Sequence, residues 1–515
     1  MLVLQSITIT TPKGRVLLRD LSFSVQQGDK LAIIGEEGNG KSTLCKLIAD
    51  PRILLESFVV EGNIQRDQLP IAYLPQQLDE SELSRPIQDF MMRDETGNVD
   101  YGKFAEVKRW LGKFNVLPDD HRFEEPLCNF SGGERIKIQL ARLMTMRPGL
   151  LVLDEPTNDL DIPTLKWLEN FIISSELPIL FVSHDETLLT RCANRILHLE
   201  QTEKKAVPLW TYVSMGYVAY KDARSLHLQR QTSLSRKQKM EYDRQIEKWR
   251  QIYQKVEHAQ ATISRQDPAG ARLLKKKIKN LKAVKERIDG EEKIKKPDPE
   301  EAVTLYFNDH EDVYAQRCLL DDELGELRIK DRCLAHHLEL KVFGKARIGI
   351  IGNNGSGKST YLDHLYRSAC RKGTRVAYMP QNYERLLSDD QSPVEYLTIT
   401  GTKEEKTSIM TYLGNLKFTE EEMRQPIANC SQGQKAKILL TSLVFSDADL
   451  LILDEPTRNL SPLTLPVIET MLKMYHGAMI AVSHDRRFLR NLTSQRFLFD
   501  VNGLHDITSD ERILE

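Results

Sequence analysis

A chain of 515 residues is too long for one hydrophobic core, so two domains and a connector are the natural expectation. The net charge of −2 excludes overall charge as a reason to bind nucleic acid, and no run of about 18 apolar residues exists to make a helical membrane span. Seven scattered cysteines without a CxxC pair read as thiols of a reducing compartment rather than as disulfides, zinc ligands or cluster ligands. The start, Met1 to Thr8, lacks the basic and apolar stretches of a secretion signal, and the expected location is the cytoplasm.

The first half opens with strand-like segments. The apolar run Leu31-Ala32-Ile33-Ile34 leads into Gly35-Glu36-Glu37-Gly38-Asn39-Gly40-Lys41-Ser42-Thr43, the Gly-x4-Gly-Lys-Ser pattern of a phosphate-binding loop. It lies between a predicted strand and a helix predicted to start near Leu44. Such glycines let backbone N–H groups turn toward phosphate oxygens, Lys41 suits the terminal phosphates, and the Ser42 hydroxyl suits Mg²⁺. Tyr73-Leu74-Pro75-Gln76 sets Gln76 after a strand, where it suits Mg²⁺ or an attacking water. Ser131-Gly132-Gly133-Glu134 precedes a helix predicted from Arg135 to Met144 and forms a second anion site. Its own module already has a phosphate loop, so this site is expected to meet the γ-phosphate held by the other module. Leu150-Leu151-Val152-Leu153-Asp154-Glu155 is a buried strand ending in two carboxylates, Asp154 for Mg²⁺ and Glu155 to polarise water. Ile179 to Val182 is a third strand, followed by Ser183-His184-Asp185, with His184 expected at the γ-phosphate.

Between the halves, Gly216 to Lys296 is long, charged and poor in Gly and Pro. Tyr242, Ile246, Trp249, Tyr253 and Val256 fall on one helical stripe. After a break at Asp267-Pro268-Ala269-Gly270, a second stripe follows at Leu274, Ile278, Leu281, Val284 and Ile288. Together they predict an antiparallel helical hairpin with an apolar seam. Its second arm is dense in positive charge, with Arg265, Arg272, Lys275, Lys276, Lys277, Lys279 and Lys282. From Arg272 to Lys285 no acidic residue interrupts the run, and such a density repels itself unless phosphate neutralises it, which points to RNA.

The second half repeats the first in order. Arg347 to Ile351 leads into Gly352-Asn353-Asn354-Gly355-Ser356-Gly357-Lys358-Ser359-Thr360. Tyr378-Met379-Pro380-Gln381 then supplies Gln381, and Ser431-Gln432-Gly433-Gln434 opens a helix predicted from Lys435 to Leu443. Leu450 to Leu453 ends in Asp454-Glu455, and Ala478 to Val482 ends in Ser483-His484-Asp485.

With these motifs in both halves, the chain resembles the ATP-binding cassette (ABC) superfamily, over about residues 1–205 and 301–515. The resemblance implies an α/β fold of two P-loop nucleotide-binding domains, with residues 206–300 as the hairpin linker. It implies ATP and Mg²⁺ as cofactors and two ATP molecules sandwiched between cassettes paired head to tail within one monomer. One site would use Gln76, Lys41, Ser42, Asp154, Glu155 and His184 with Ser431-Gln432-Gly433. The other would use Gln381, Lys358, Ser359, Asp454, Glu455 and His484 with Ser131-Gly132-Gly133. Metal would fall to Ser42, Gln76 and Asp154, and to Ser359, Gln381 and Asp454. Catalysis would fall to Glu155 with His184 and to Glu455 with His484.

Within the superfamily, Asp154-Glu155-Pro156-Thr157-Asn158-Asp159-Leu160-Asp161 and the charged interdomain hairpin resemble the ABC-F family, whose members act on ribosomes. The second-half sequences Ser431-Gln432-Gly433-Gln434 and Asp454-Glu455-Pro456-Thr457-Arg458-Asn459-Leu460-Ser461-Pro462 resemble a branch of Gram-positive bacteria that includes antibiotic-resistance ribosome-protection factors. That likeness implies docking near the E site in the ATP-bound state, the hairpin acting on P-site tRNA and large-subunit rRNA, and no membrane or DNA partner. A housekeeping translation factor of the same family is the alternative. The ATPase subunit of a sugar importer would need no basic hairpin, and a chromosome ATPase would carry its coil inside one cassette. The iron–sulfur recycling protein would need an N-terminal cysteine array. Ser461 where the first half has Asp161, and Gln432 where it has Gly132, predict two unequal ATP sites. Thr8 to Arg15 carries no aromatic residue to stack on adenine.

Overall fold

The computed structural model describes residues 2–55, 57–66, 70–92, 100–116, 120–157, 160–202, 207–262, 268–290, 317–330, 332–383, 386–458, 460–462 and 464–510. The chain forms two compact units, one of Met1–Tyr217 with Glu300–Glu515 and one of Val218–Pro299.

The first unit holds two six-stranded sheets of the same topology. In the first half the strand order is Ile71–Leu74, Leu150–Asp154, Ile179–Val182, Lys30–Gly35, Arg195–Thr202, Val207–Val213. In the second it is Val376–Met379, Leu450–Asp454, Ala478–Val482, Arg347–Ile351, Gln495–Asp500, Gly503–Asp506. Five strands are parallel and the last turns back antiparallel in each sheet. Buried on both faces, the parallel strands need continuous apolar runs rather than alternation, which is why Leu31 to Ile34 and Leu150 to Leu153 carry no polar residue. Parallel neighbours end on the same side. The phosphate loop, the Asp-Glu pair and the histidine therefore emerge together at the carboxyl edge, where open α/β sheets hold ligands. The register makes this concrete, with Val182 opposite both Ile33 and Asp154. A three-stranded antiparallel sheet, Val16–Val25, Leu2–Thr10 and Val59–Arg66, accompanies the first half, and the pair Cys318–Ile329 and Arg332–Phe343 the second.

Helix starts differ from the sequence expectation. The phosphate-loop helix begins at Lys41 rather than near Leu44, because Gly40 takes φ 87° and hands the chain into the first turn at once. The helices after the two serine motifs span Gly132–Thr145 and Gln432–Phe445, each starting three residues early. Ser131 and Ser431 are their N-caps, each closing a capping box with Glu134 or Gln434.

The second unit contains helices Tyr217–Thr262 and Pro268–Asp289. They run antiparallel: Tyr242 Oη donates to Asp289 Oδ1 at 2.8 Å, and Trp249 Nε1 to the Leu281 carbonyl at 2.7 Å. The Trp249 ring stacks on Tyr253 with centroids 4.8 Å apart, and Lys285 Nζ lies 5.3 Å from its centre. Val256 and Ile288 are buried, and the other seam residues named above are half-buried except one. Val284 is 37 % exposed, because two successive three-residue steps from Ile278 carry it off the stripe. Of the expected break at 267–270, residue 267 lies outside the described residues and 268–270 belong to the second helix, with Pro268 at its first position, where the missing N–H costs nothing. Arg272, Lys275, Lys276, Lys277, Lys279 and Lys282 are all exposed. Arg265 lies outside the described residues.

Candidate nucleotide-binding site

Around Lys358 the two halves enclose a cavity of about 710 Å³. Its wall carries Lys358, Ser359, Thr360, Gln381, Asp454, Glu455 and His484 from the second half, facing Ser131 and Gly132 from the first. Gly357 caps the loop's helix at φ 108°, and Lys358 Nζ, buried, donates to the carbonyls of Gly352 at 2.7 Å and Asn353 at 2.8 Å. Burial pulls the Lys358 ammonium below its ordinary pKa while Glu455, Asp454 and Asp161 push it back up. Burial raises Asp454, against a hydrogen bond from Ser359, the charge of Lys358 and the Gln381 backbone amide. Asp454 Oδ2 and Ser356 Oγ are buried with no hydrogen-bond partner.

Glu455 has φ 52°, in the left-handed region, and its amide donates to the Val482 carbonyl at 2.9 Å. This left-handed residue directly follows strand Leu450–Asp454, and Glu455 lines the cavity. Burial and the Asp454 charge, against Lys358, push the Glu455 carboxyl up to about 8. His484 falls to about 3 through burial and Lys358. Burial thus disfavours charge on both partners of the 3.5 Å approach between His484 Nε2 and Glu455 Oε1.

Around Lys41 the same parts recur. Lys41 Nζ donates to the carbonyls of Gly35 at 2.9 Å and Glu36 at 3.1 Å. Ser42 Oγ donates to Asp154 Oδ1 at 3.0 Å, and Tyr73 Oη to Asp154 Oδ2 at 3.1 Å. Gln76 Nε2 donates to Glu155 Oε2 at 2.7 Å, and His184 Nε2 lies 3.0 Å from Glu155 Oε1. Glu155 repeats the strained φ, at 49°, with its amide on the Val182 carbonyl at 3.1 Å. Across the cleft, Ser431 Oγ donates to Glu37 Oε2 at 2.6 Å and the Gly433 amide to the same oxygen at 3.1 Å. Each phosphate loop thus meets the serine motif of the other half. Asn158, Asp159 and Asn459 lie outside the described residues.

Several participants carry no motif that would single them out in the sequence. Tyr73 holds Asp154, and Ile329, Arg332, Leu334, Arg135 and Arg458 line the cavity around Lys358. Glu36 lies among Lys417, Lys437 and Thr464 of the second half, at 3.4, 3.7 and 3.1 Å. The repetition of Asp-Glu after each strand was legible, whereas positive φ at the glutamate is visible only in the backbone.

The sequence profile described as "ABC transporter" matches residues 18–158 and 335–458, just over half of the chain. The chain belongs to the ABC family. It is a tandem-cassette protein of the ABC-F type: it is 27 % identical to "Probable ATP-binding protein YheS" of Escherichia coli K12, covering 94 % of this chain and 76 % of that one. It is also 27 % identical to "ATP-binding cassette sub-family F member 3" of Mus musculus, covering 92 % and 68 %. Among solved structures it is similar in fold to the archaeal ribosome recycling factor aABCE1, crystallised with ribosomal stalk protein aP1. There the TM-score is 0.58 at 15 % identity, covering 97 % of this chain and 90 % of that one. No helix among the described residues is long and apolar enough to cross a membrane.

The ABC cassettes fit Mg²⁺ and ATP. The orphaned buried oxygens of Asp454 and Ser356, and lysines whose ammonium protons rest on loop carbonyls, are groups whose hydrogen bonding a nucleotide and its metal would complete. Among the described residues no three His, Cys, Asp or Glu side chains cluster to hold a metal alone. Mg²⁺ in such a loop takes one hydroxyl and one carboxylate, with phosphate supplying further oxygens.

Proposed function

We propose that the protein is an ATP-hydrolysing, ribosome-acting ABC-F factor, with residues 1–205 and 301–515 as its cassettes and 206–300 as the hairpin linker. The observation that carries this reading is the pairing of each phosphate loop with the serine motif of the other half in a chain whose connector bears an exposed basic face. An importer subunit has no use for such a connector.

At each site the loop backbone and Lys41 or Lys358 would hold the phosphates of ATP. Ser42, Asp154 and Gln76, or Ser359, Asp454 and Gln381, would hold Mg²⁺, which when bound offsets phosphate charge. Glu155 and Glu455 orient the attacking water, and His184 and His484, each against its glutamate, fix that orientation. His484 acts as a neutral group. The serine motifs complete the pocket only when the cassettes close, so closure reports occupancy, and the hairpin carries that closure to its target. At 1.5 Å per residue its 46-residue first helix spans about 69 Å, a lever long enough to cross an intersubunit cavity.

In this reading the closed form docks near the E site of cytoplasmic ribosomes as a monomer. Arg272, Lys275, Lys276, Lys277, Lys279 and Lys282 meet large-subunit rRNA or P-site tRNA, and the outcome is protection of the ribosome from large-subunit antibiotics. The full-length Glu155→Gln, Glu455→Gln variant with ATP is expected to sediment with ribosomes and stay there. Sedimentation free of ribosomes overturns the reading. Inhibitory concentrations of large-subunit antibiotics in a sensitive host separate the outcomes: a rise marks protection, and no change for any drug marks a housekeeping factor.

A further inference from the structure

The two phosphate loops differ in charge at the positions that face the opposite cassette. The Lys358 loop carries Asn353 and Asn354, whereas the Lys41 loop carries Glu36 and Glu37. Glu37 Oε2 accepts from the Ser431 hydroxyl at 2.6 Å and from the Gly433 amide at 3.1 Å, at the N-terminus of a 14-residue helix. A hydroxyl and a helix N-terminal amide converging on one anionic oxygen are the donors that a serine motif offers to a terminal phosphate.

The surroundings are matched to this arrangement. In the first-half motif, Ser131 Oγ donates at 2.8 Å to Glu134 within its own capping box. In the second-half motif the corresponding residue is Gln434, whose side chain accepts from the Ser431 amide, and the Ser431 hydroxyl proton goes to Glu37. Glu36, the other added carboxylate, is gripped by Lys417, Lys437 and Thr464, all from the second cassette. Beside it, Ser461 replaces the aspartate found at Asp161; Ser461 Oγ lies 2.9 Å from Thr464 Oγ1, and an aspartate there would set a third carboxylate beside Glu36. The Lys41 side of the interface is thus satisfied by the chain's own acids.

We propose that Glu37 takes the place of a terminal phosphate at the Lys41 loop, so that this composite site accepts a nucleoside diphosphate as a structural ligand while the Lys358 site takes the triphosphate. This rests on the reading of both loops as nucleotide sites and narrows it: ATP turnover falls to Glu455 at the Lys358 site, and Glu155 at the Lys41 site has no terminal phosphate to act on. A diphosphate ends one phosphate short of the serine motif and leaves Glu37 its donors. A triphosphate has to displace Glu37 from Ser431 and Gly433 and then lie beside the displaced carboxylate.

The test is equilibrium dialysis of the full-length Lys358→Ala protein with ADP and with a non-hydrolysable ATP analogue, both with Mg²⁺. The expected result is ADP bound at least about tenfold more tightly than the analogue. Glu37→Asn, which installs the residue of position 354, and Glu37→Gln, which keeps the shape without the charge, should each shift that ratio toward the analogue by at least about tenfold. An analogue bound as tightly as ADP, or a ratio unmoved by both substitutions, overturns the proposal. So does loss of all binding in Lys358→Ala while the unaltered chain binds one equivalent. An unaltered chain that binds no nucleotide removes the underlying reading of the sites as well.

Discussion

Glu36 offers a direct test of how the cassettes hold each other. Burial alone would raise its carboxyl, but Lys437 and Lys417, with the Ser461 hydroxyl and Lys41, outweigh burial and bring it down from 4.5 to about 2. A carboxylate depressed in this way contributes stability that is present above pH 4.5 and is lost as pH falls toward 2. That lowering corresponds to roughly 3 kcal/mol at neutral pH, of which about 1.4 kcal/mol is lost by pH 3.5. Glu36→Gln keeps the shape and the approach to Thr464 while removing the charge from Lys417 and Lys437. Denaturant unfolding of both proteins between pH 7 and pH 3.5 should show the variant less stable at neutral pH and the difference narrowing as the medium is acidified. A difference that stays constant with pH would refute the pairing.

Gly35→Ala and Gly38→Ala should part company. A Cβ at residue 35 would lie 2.3 Å from the Leu199 carbonyl oxygen, so this variant should lose several kcal/mol or fail to fold, whereas at residue 38 the space is open and only φ 74° resists, costing about 1–2 kcal/mol. Thermal midpoints separate the two, and equal losses would contradict the close approach. In the hairpin, Trp249→Ala removes the stack on Tyr253 and the bond to Leu281, about 2 kcal/mol in all, so amide exchange in Pro268–Asp289 should quicken by roughly 30-fold. Reversing charge at Lys275, Lys276 and Lys277 should weaken ribosome binding and flatten its dependence on salt, because fewer counterions are released per complex. An unchanged salt slope would mark these lysines as a solvated face.

Much of the fold was legible because the repeat is written in chemistry. Buried parallel strands demand continuous apolar runs, and the loops that follow them carry glycine, lysine and carboxylates, so each cassette shows its site edge in sequence. The hairpin was legible from two apolar stripes on either side of a break, and Val284 shows where a stripe drifts. Helix starts were read three residues late because the capping box at Ser131 and Ser431 uses Glu134 and Gln434, which look like ordinary helix interior. What the motifs hid were cross-cassette partners. Glu36 and Glu37 fill variable positions of a phosphate-loop pattern, and nothing local links them to Lys417, Ser431 or Lys437, which lie more than 380 residues away in sequence. The same holds for Arg486, buried between halves and paired with Glu169.

The central claim, that an ATP-driven pair of cassettes presents a basic hairpin to ribosomal RNA, meets its most direct test in photocross-linking. A photoreactive side chain at position 276, in the Glu155→Gln, Glu455→Gln protein bound to ribosomes with ATP, should attach to large-subunit rRNA or to P-site tRNA. Attachment only to ribosomal proteins, or none above the level seen without ATP, would contradict the claim.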